Sequence, residues 1–425
     1  MDSIWLSSPA TRLGLASTVS AWSLLATLAL AAPPLPVGEE LILPQPPESC
    51  QHFEPVAAIA PNGGIMAAWL ARGFGTVART FSPGGLVPGD ELPLGPTRSK
   101  IAAARDSTFV VVSIHSGQST ETLELEQLDG SGQPLTLPVR LAAAPEIRSH
   151  ALAARPQGDV LVAWSESDTN EGDTTQRRLK LGRFDSAGRP LDEPTVVASV
   201  QSSGRPFFEL QLVVTRSGGW LVLWTSVEAG DTWESARAYD PKGRPRAEAI
   251  QVNAPTRSAR FFTATVLDGE RFLYGWLRHE MQPGVYVQRA DASGAPTNAP
   301  SRVDDPSGLY VRKPTLTTDA VGRPIVAWLS LGADDISINA WARILAADGQ
   351  PAEPPFRINQ PVEETFGSSR YSVTDTSIAS GPNGQLIGLW QVSFYPGVDP
   401  PPPCSAGLTV MARQFRTLAF SLDNR

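Results

Sequence analysis

The chain has 425 residues, a formal net charge of -8, and 41% hydrophobic against 18% charged residues. This balance excludes a largely disordered chain, and it excludes a general nucleic-acid binder, because phosphate attraction needs a net or strongly local positive field. The 39 prolines and 36 glycines suit a protein built from many tight turns.

The N-terminus reads as a secretory signal over residues 1–32: Arg12, an apolar stretch from Leu13 to Leu30, and small residues around Ala29 and Ala31 where a peptidase could cut. Pro33 and Pro34 stop any helix and open a Pro-rich linker over 33–37. An uncleaved anchor is the competing reading, since Leu13 to Ala32 approaches the roughly 20 residues that span a bilayer. With cleavage no membrane span is left, and the protein is expected in periplasm, cell envelope or medium. Lysine occurs only at Lys100, Lys180, Lys242 and Lys313, and this Arg, Ala and Pro bias hints at a GC-rich bacterial genome.

From residue 38 to about 420 one phrase recurs seven times: a glycine turn, a short apolar strand usually ending in Trp, a variable loop, and a strand carrying Arg ahead of a Gly-x-Pro turn. The clearest copy runs through Leu316 to Thr318, Gly322, Ile325 to Trp328, Ala340 to Ile344, Gly349-Gln350-Pro351 and Phe356 to Asn359. Each phrase predicts a four-stranded antiparallel sheet. Seven in series predict an all-β, seven-bladed β-propeller, with 421–425 as a tail. Gly63, Gly158, Gly218, Gly322 and Gly384 each stand six residues before Trp69, Trp164, Trp224, Trp328 and Trp390, as a turn needing positive φ requires. One large apolar residue per sheet at one register is what blade-to-blade packing needs, so the Trp set reads as core rather than as a sugar platform.

Closure is legible at the two ends. Gly38 to Leu43 resembles Gly89 to Leu94, the last strand of the first blade, whereas the seventh blade stops soon after its third strand, Leu408 to Phe415. Gly38 to Leu43 is therefore expected to complete the seventh sheet, which removes the open edges of the array. Cys50 follows that strand and Cys404 lies in a seventh-blade loop, so a disulfide between them would clamp the ring.

Long, irregular segments join second to third strands and blade to blade, and in an up-and-down blade both classes emerge on one face, the expected working face. A basic residue precedes each new first strand: Arg98 or Lys100, Arg148, Arg205, Arg260, Arg312 or Lys313, and Arg370. First strands line a propeller's channel, so these side chains predict an anion-binding mouth. Acid–base chemistry could draw on Glu166 and on His279 beside Glu280. Asp168, Asn170 and Asp173 form the nearest approach to a calcium loop, without the Gly and Glu spacing of a helix-flanked one. No organic cofactor is implied.

Copies such as Gly158 to Trp164 followed by Gly182 to Pro190 resemble blades of secreted bacterial β-propeller repeat proteins, and the resemblance extends over Gly38 to Phe415. It implies architecture and no one activity. The leading expectation is an exported, non-enzymatic, monomeric binding or scaffold propeller that recognises a partner protein or an anionic polysaccharide through its loop-rich face. The alternatives are a carbohydrate-active hydrolase or lyase, and a structural envelope component with no ligand.

Overall fold

The computed structural model describes residues 33–44, 52–85, 87–168, 175–202, 207–228, 231–252, 259–267, 270–279, 283–305, 309–331, 338–360, 371–394 and 407–417. Strand β1 (Leu35–Ile42) comes first, and six complete blades follow it. Blade 1 is β2 (His52–Ile59), β3 (Ile65–Ala71), β4 (Gly75–Phe81) and β5 (Leu92–Gly95). Blade 2 is β6 (Ser99–Ala103), β7 (Phe109–Ser116), β8 (Glu121–Leu128) and β9 (Val139–Ala144). Blade 3 is β10 (Glu146–Ala154), β11 (Val160–Ser167), β12 (Thr175–Phe184) and β13 (Thr195–Ser202). Blade 4 is β14 (Phe208–Val214), β15 (Trp220–Glu228), β16 (Asp231–Tyr239) and β17 (Ile250–Gln251). Blade 5 is β18 (Ala259–Val266), β19 (Phe272–Arg278), β20 (Gly284–Ala290) and β21 (Ser301–Arg302). Blade 6 is β22 (Leu309–Thr318), β23 (Pro324–Leu331), β24 (Asn339–Ile344) and β25 (Phe356–Arg357).

Blade 7 contains β26 (Tyr371–Ser380), β27 (Gln385–Phe394) and β28 (Gly407–Arg416), and its fourth strand is β1. Leu41 pairs with Ala412 and Ile42 with Met411, and the Leu43 amide donates to the Val410 carbonyl at 3.0 Å. The seven innermost strands β2, β6, β10, β14, β18, β22 and β26 touch one another in sequence, and β26 returns to β2, so the ring is closed.

Seven apolar clusters fill the gaps between consecutive blades. Each second-strand Trp belongs to the gap it shares with the preceding blade: Trp164 lies among Val112 and Leu125, and Trp390 among Ile325 and Leu329. Trp69 packs against Ile387 and Val410 of blade 7, which gives the closing gap the same apolar filling as the others. At the third-to-fourth-strand turns one aspartate organises the backbone. Asp185 Oδ1, for example, accepts the amides of Ala187 at 3.0 Å and Arg189 at 2.8 Å, with Gly188 at φ +86°. Third-strand arginines reach back a blade: Arg237 donates to the Val197 carbonyl at 3.4 Å and Arg343 to that of Val303 at 2.8 Å.

The strands are longer than the apolar pattern marks. In blade 6 the innermost strand begins at Leu309 rather than Leu316, and Arg148, Arg260, Arg312 and Lys313 lie inside first strands rather than in the connections before them. The cause is a β-bulge, which breaks the period-2 alternation while letting pairing continue toward the loop-rich end.

Candidate functional site at the channel mouth

Six of the seven innermost strands shift register near their first residues: Phe53/Val56, Ile147/His150, Phe208/Gln211, Arg260/Thr263, Leu309/Arg312/Thr315 and Val373/Asp375. At four of these bulges a residue other than glycine holds positive φ: Glu54 at 52°, Glu209 at 50°, Phe261 at 57° and Lys313 at 45°. Such a conformation costs of order 1–3 kcal/mol per residue and persists only where the surroundings impose it. All four sit at the end of the channel away from the short turns that join first to second strands.

Charged side chains from several blades share this mouth. Lys313 Nζ of blade 6 lies 2.5 Å from Asp375 Oδ2 of blade 7, whose other oxygen accepts the Thr376 amide at 2.7 Å. Arg98, ahead of blade 2, meets Glu54 of blade 1 at 2.7 Å. Burial pushes Asp375 above the usual carboxylate range and Lys313 pulls against it, while the charge of Glu54 adds to the rise. Lys100 is half-buried. Desolvation lowers its pKa first; Glu54 opposes that, and the positive charges of Arg98 and Lys313 reinforce it. Lys100 on blade 2 and Lys313 on blade 6 thus act on one electrostatic space.

His150 of blade 3 feels the charge of Lys100. It is buried, and its Nε2–H donates to the Val112 carbonyl of blade 2 at 3.0 Å. Burial, with Lys100 nearby, lowers its pKa to about 3, so the ring is neutral.

Blade 3 carries a second polar knot at the same end. Glu146 accepts from Arg177 at 2.5 Å, from Arg148, and from Ser167 at 3.2 Å. Burial opposes its ionisation, but the hydrogen bonds of Arg177 and Arg148 hold its pKa below the usual range. Glu166 beside it is taken by Lys180 at 2.6 Å and by the Trp164 indole at 2.8 Å. On blade 4 the Thr225 hydroxyl lies 2.7 and 2.9 Å from the two oxygens of the buried Glu234 and 3.5 Å from Glu209. Burial raises Glu234 to about 9, with Thr225 opposing and the charge of Glu209 adding.

The sequence-predicted residues fall into three groups. Arg98 pairs with Glu54 and Arg148 with Glu146, and Arg312 is exposed on β22. Glu166 is enclosed by its partners, His279 is exposed just after β19, and both oxygens of Asp168 accept from Arg178 at 2.7 and 2.9 Å. Arg205, Arg370, Glu280, Asn170, Asp173, Cys50 and Cys404 lie outside the described residues, as does the side chain of Arg260. Among the described residues no three His, Cys, Asp or Glu side chains gather as a metal site. Glu54, Asp375, Glu209 and Glu234 were missed by sequence reasoning. The signal that could have found Glu54 and Glu209 is a charged residue near the start of an otherwise apolar first strand.

No protein-family model matches the chain, and no curated protein matches it. Among solved structures, it is similar at 11% identity and TM-score 0.42 to a protein of unknown function from Dyadobacter fermentans, over 89% of this chain and 98% of that one. An α-L-arabinanase from Penicillium chrysogenum, complexed with arabinobiose, is similar at 12% identity and TM-score 0.49, over 71% of this chain and 94% of that one. A prolyl endopeptidase is similar at 11% identity and TM-score 0.49, over 84% of this chain and 48% of that one.

Proposed function

We propose that the chain is an exported binding propeller whose channel mouth holds carboxylate or sulfate groups of an anionic polysaccharide. The observation that supports this most is the charged cluster at the mouth, with Lys313 on Asp375 at 2.5 Å, Arg98 on Glu54 at 2.7 Å, and Lys100 within electrostatic reach of Glu54 and Lys313. The Lys100 ammonium, depressed chiefly by burial, gains from an incoming anion, because the ligand supplies countercharge in a poorly solvated place. The strained bulges present these groups on a rigid frame. Export rests on the signal-like residues 1–32, which lie outside the described residues; among the described residues no helix is long and apolar enough to cross a membrane.

The test is binding of the full mature chain to polygalacturonate and heparin, with neutral dextran and poly-glutamate as comparators. Lys100→Gln is expected to weaken acidic-glycan binding about tenfold, roughly the worth of one charge-assisted contact. Equal binding by the variant overturns the reading. Preference for poly-glutamate moves it to an acidic partner protein, and no binding at all favours a structural envelope role.

A hydrolase or lyase reading has one observation of its own. Glu234, protonated to about pH 9, shares the Thr225 hydroxyl with Glu209, and two carboxyl groups with separated pKa values can divide acid and base roles. Turnover of a charged polysaccharide that disappears in Glu234→Gln would put this reading first.

A further inference from the structure

At the opposite end of the channel, where the short turns lie, a cleft of about 540 Å³ opens between blades 4, 5 and 6. This volume falls within the roughly 300–1,000 Å³ typical of small-molecule sites. Its walls are the last residues of β14, β18 and β22, and its rim holds Arg216, Val321 and Arg323.

The hydrogen bonds of the wall fix what the cleft offers. Thr318 Oγ1 donates to the Val266 carbonyl at 2.7 Å, so in its 2.6 Å contact with Thr265 the proton comes from Thr265. Ser380 donates to the Thr318 carbonyl at 2.5 Å, so Thr317, 3.0 Å from the Ser380 hydroxyl, is the donor there. Each hydroxyl proton is spent inside the wall, and the Gln211 amide is closed on both groups of the Ala264 backbone at 2.8 and 3.0 Å. Thr265 and Thr317 therefore keep oxygen lone pairs for a ligand that brings O–H donors.

The rim supplies the opposite chemistry. Arg323 is held by Asp319 at 2.8 Å and Glu353 at 3.3 Å. Arg216 is exposed, and no carboxylate among the described residues pairs with it; its Nη2 reaches across from blade 4 to the Ala320 carbonyl of blade 6 at 3.5 Å. Its seat is the glycine turn: a Cβ at Gly322, where φ is +91°, would stand 3.3 Å from that same nitrogen. One guanidinium at the edge of a cleft whose floor accepts hydrogen bonds and whose sides include Leu212, Leu316 and Val321 suits a ligand with a carboxylate, several hydroxyls and an apolar ring face.

We propose that this cleft is a second binding site, separate from the channel mouth, for a monomeric sugar acid of the hexuronate class. The test is calorimetric titration of the full mature chain with D-glucuronate and with its methyl ester. Saturable one-to-one binding of the acid is expected, at least tenfold weaker for the ester and for Arg216→Gln, and abolished by Val321→Trp, which fills the rim. Lys100→Gln is expected to leave this binding unchanged. The proposal is overturned if glucuronate does not saturate, if ester and acid bind alike, or if Arg216→Gln binds as the parent does. It is equally overturned if Lys100→Gln removes the binding, since the sugar acid then sits at the mouth.

Discussion

His52 Nδ1 and the Leu408 carbonyl oxygen lie 3.1 Å apart, although 356 positions separate them in the chain. The carbonyl can only accept, so the imidazole donates through Nδ1. This bond ties the start of blade 1 to the third strand of blade 7, across the gap where the ring closes. Cys50 stands two residues before His52 and Cys404 four residues before Leu408. Both cysteines lie outside the described residues; if the chain is exported, as proposed, their places in the sequence predict a Cys50–Cys404 bridge. Non-reducing peptide mapping should recover the linked pair, and Cys50→Ser should cost up to about 6 kcal/mol in the chain-entropy model, less any strain. Two titratable free thiols in the oxidised protein would refute it.

The closing strand makes a second prediction. Leu43 is fully buried among Ile59, Trp69 and Val410, whereas Ile42 is 40% exposed. Leu43→Ala is therefore expected to cost about 2–5 kcal/mol, the range for emptying a packed leucine site. Ile42→Ala is expected to cost under about 1 kcal/mol. Urea unfolding of the two variants measures the difference. Equal costs would mean that β1 does not close the core.

These closing contacts were legible in the sequence because a repeated fold repeats its demands. The blades share a buried second strand and a large residue for the gap before it, and most share a glycine turn, replaced in blade 2 by Ser107 at φ +65°, so Gly63 and Trp69 predict Gly322 and Trp328 in turn. The strand that blade 7 lacks was visible for the same reason. The mouth was legible only in part. Basic residues near the first strands stood out, yet adjacent pairs such as Arg98 and Lys100, or Arg312 and Lys313, could not be told apart. For Arg312 and Lys313 the strand bulges, and Lys313 holds the positive φ with no glycine to mark it, whereas β6, which carries Lys100, pairs without a register shift. The carboxylates that meet the lysines come from other blades, and no sequence spacing encodes that meeting. The threonine-lined cleft left even less trace, because its chemistry lies in the direction of hydroxyl protons.

His150 predicts a response to acid. Its folded pKa is lowered from 6.5 to about 3, and Lys100 is the charged group facing it. Between those two values the unfolded chain binds a proton that the folded chain refuses, so stability falls as pH drops through this window. The full contribution is present above pH 6.5 and lost below about 3. His150→Gln keeps a donor for the Val112 carbonyl but does not titrate. Its stability between pH 4 and 6 is expected to be flatter than the parent's by up to about 1.4 kcal/mol per pH unit, the limit for one proton. Parallel curves would show that the ring is protonated in the folded state.

Glu234 predicts the opposite slope over a window that spans neutrality. Its folded pKa is raised from 4.5 to about 9, chiefly by burial, with the charge of Glu209 adding. Here the folded state holds the extra proton, so this contribution is complete below pH 4.5 and is lost as pH rises through about 9. Glu234→Gln keeps the shape and the contact with Thr225 while removing the titration. The variant is expected to gain on the parent steadily from pH 5 to 8, again by no more than about 1.4 kcal/mol per pH unit. Turnover, not the stability gain, separates the roles proposed for this carboxyl group. If Glu234 only fills the interior, the variant is more stable and binds acidic polysaccharide as before. If it is the acid of a catalytic pair, the same variant is more stable and loses turnover.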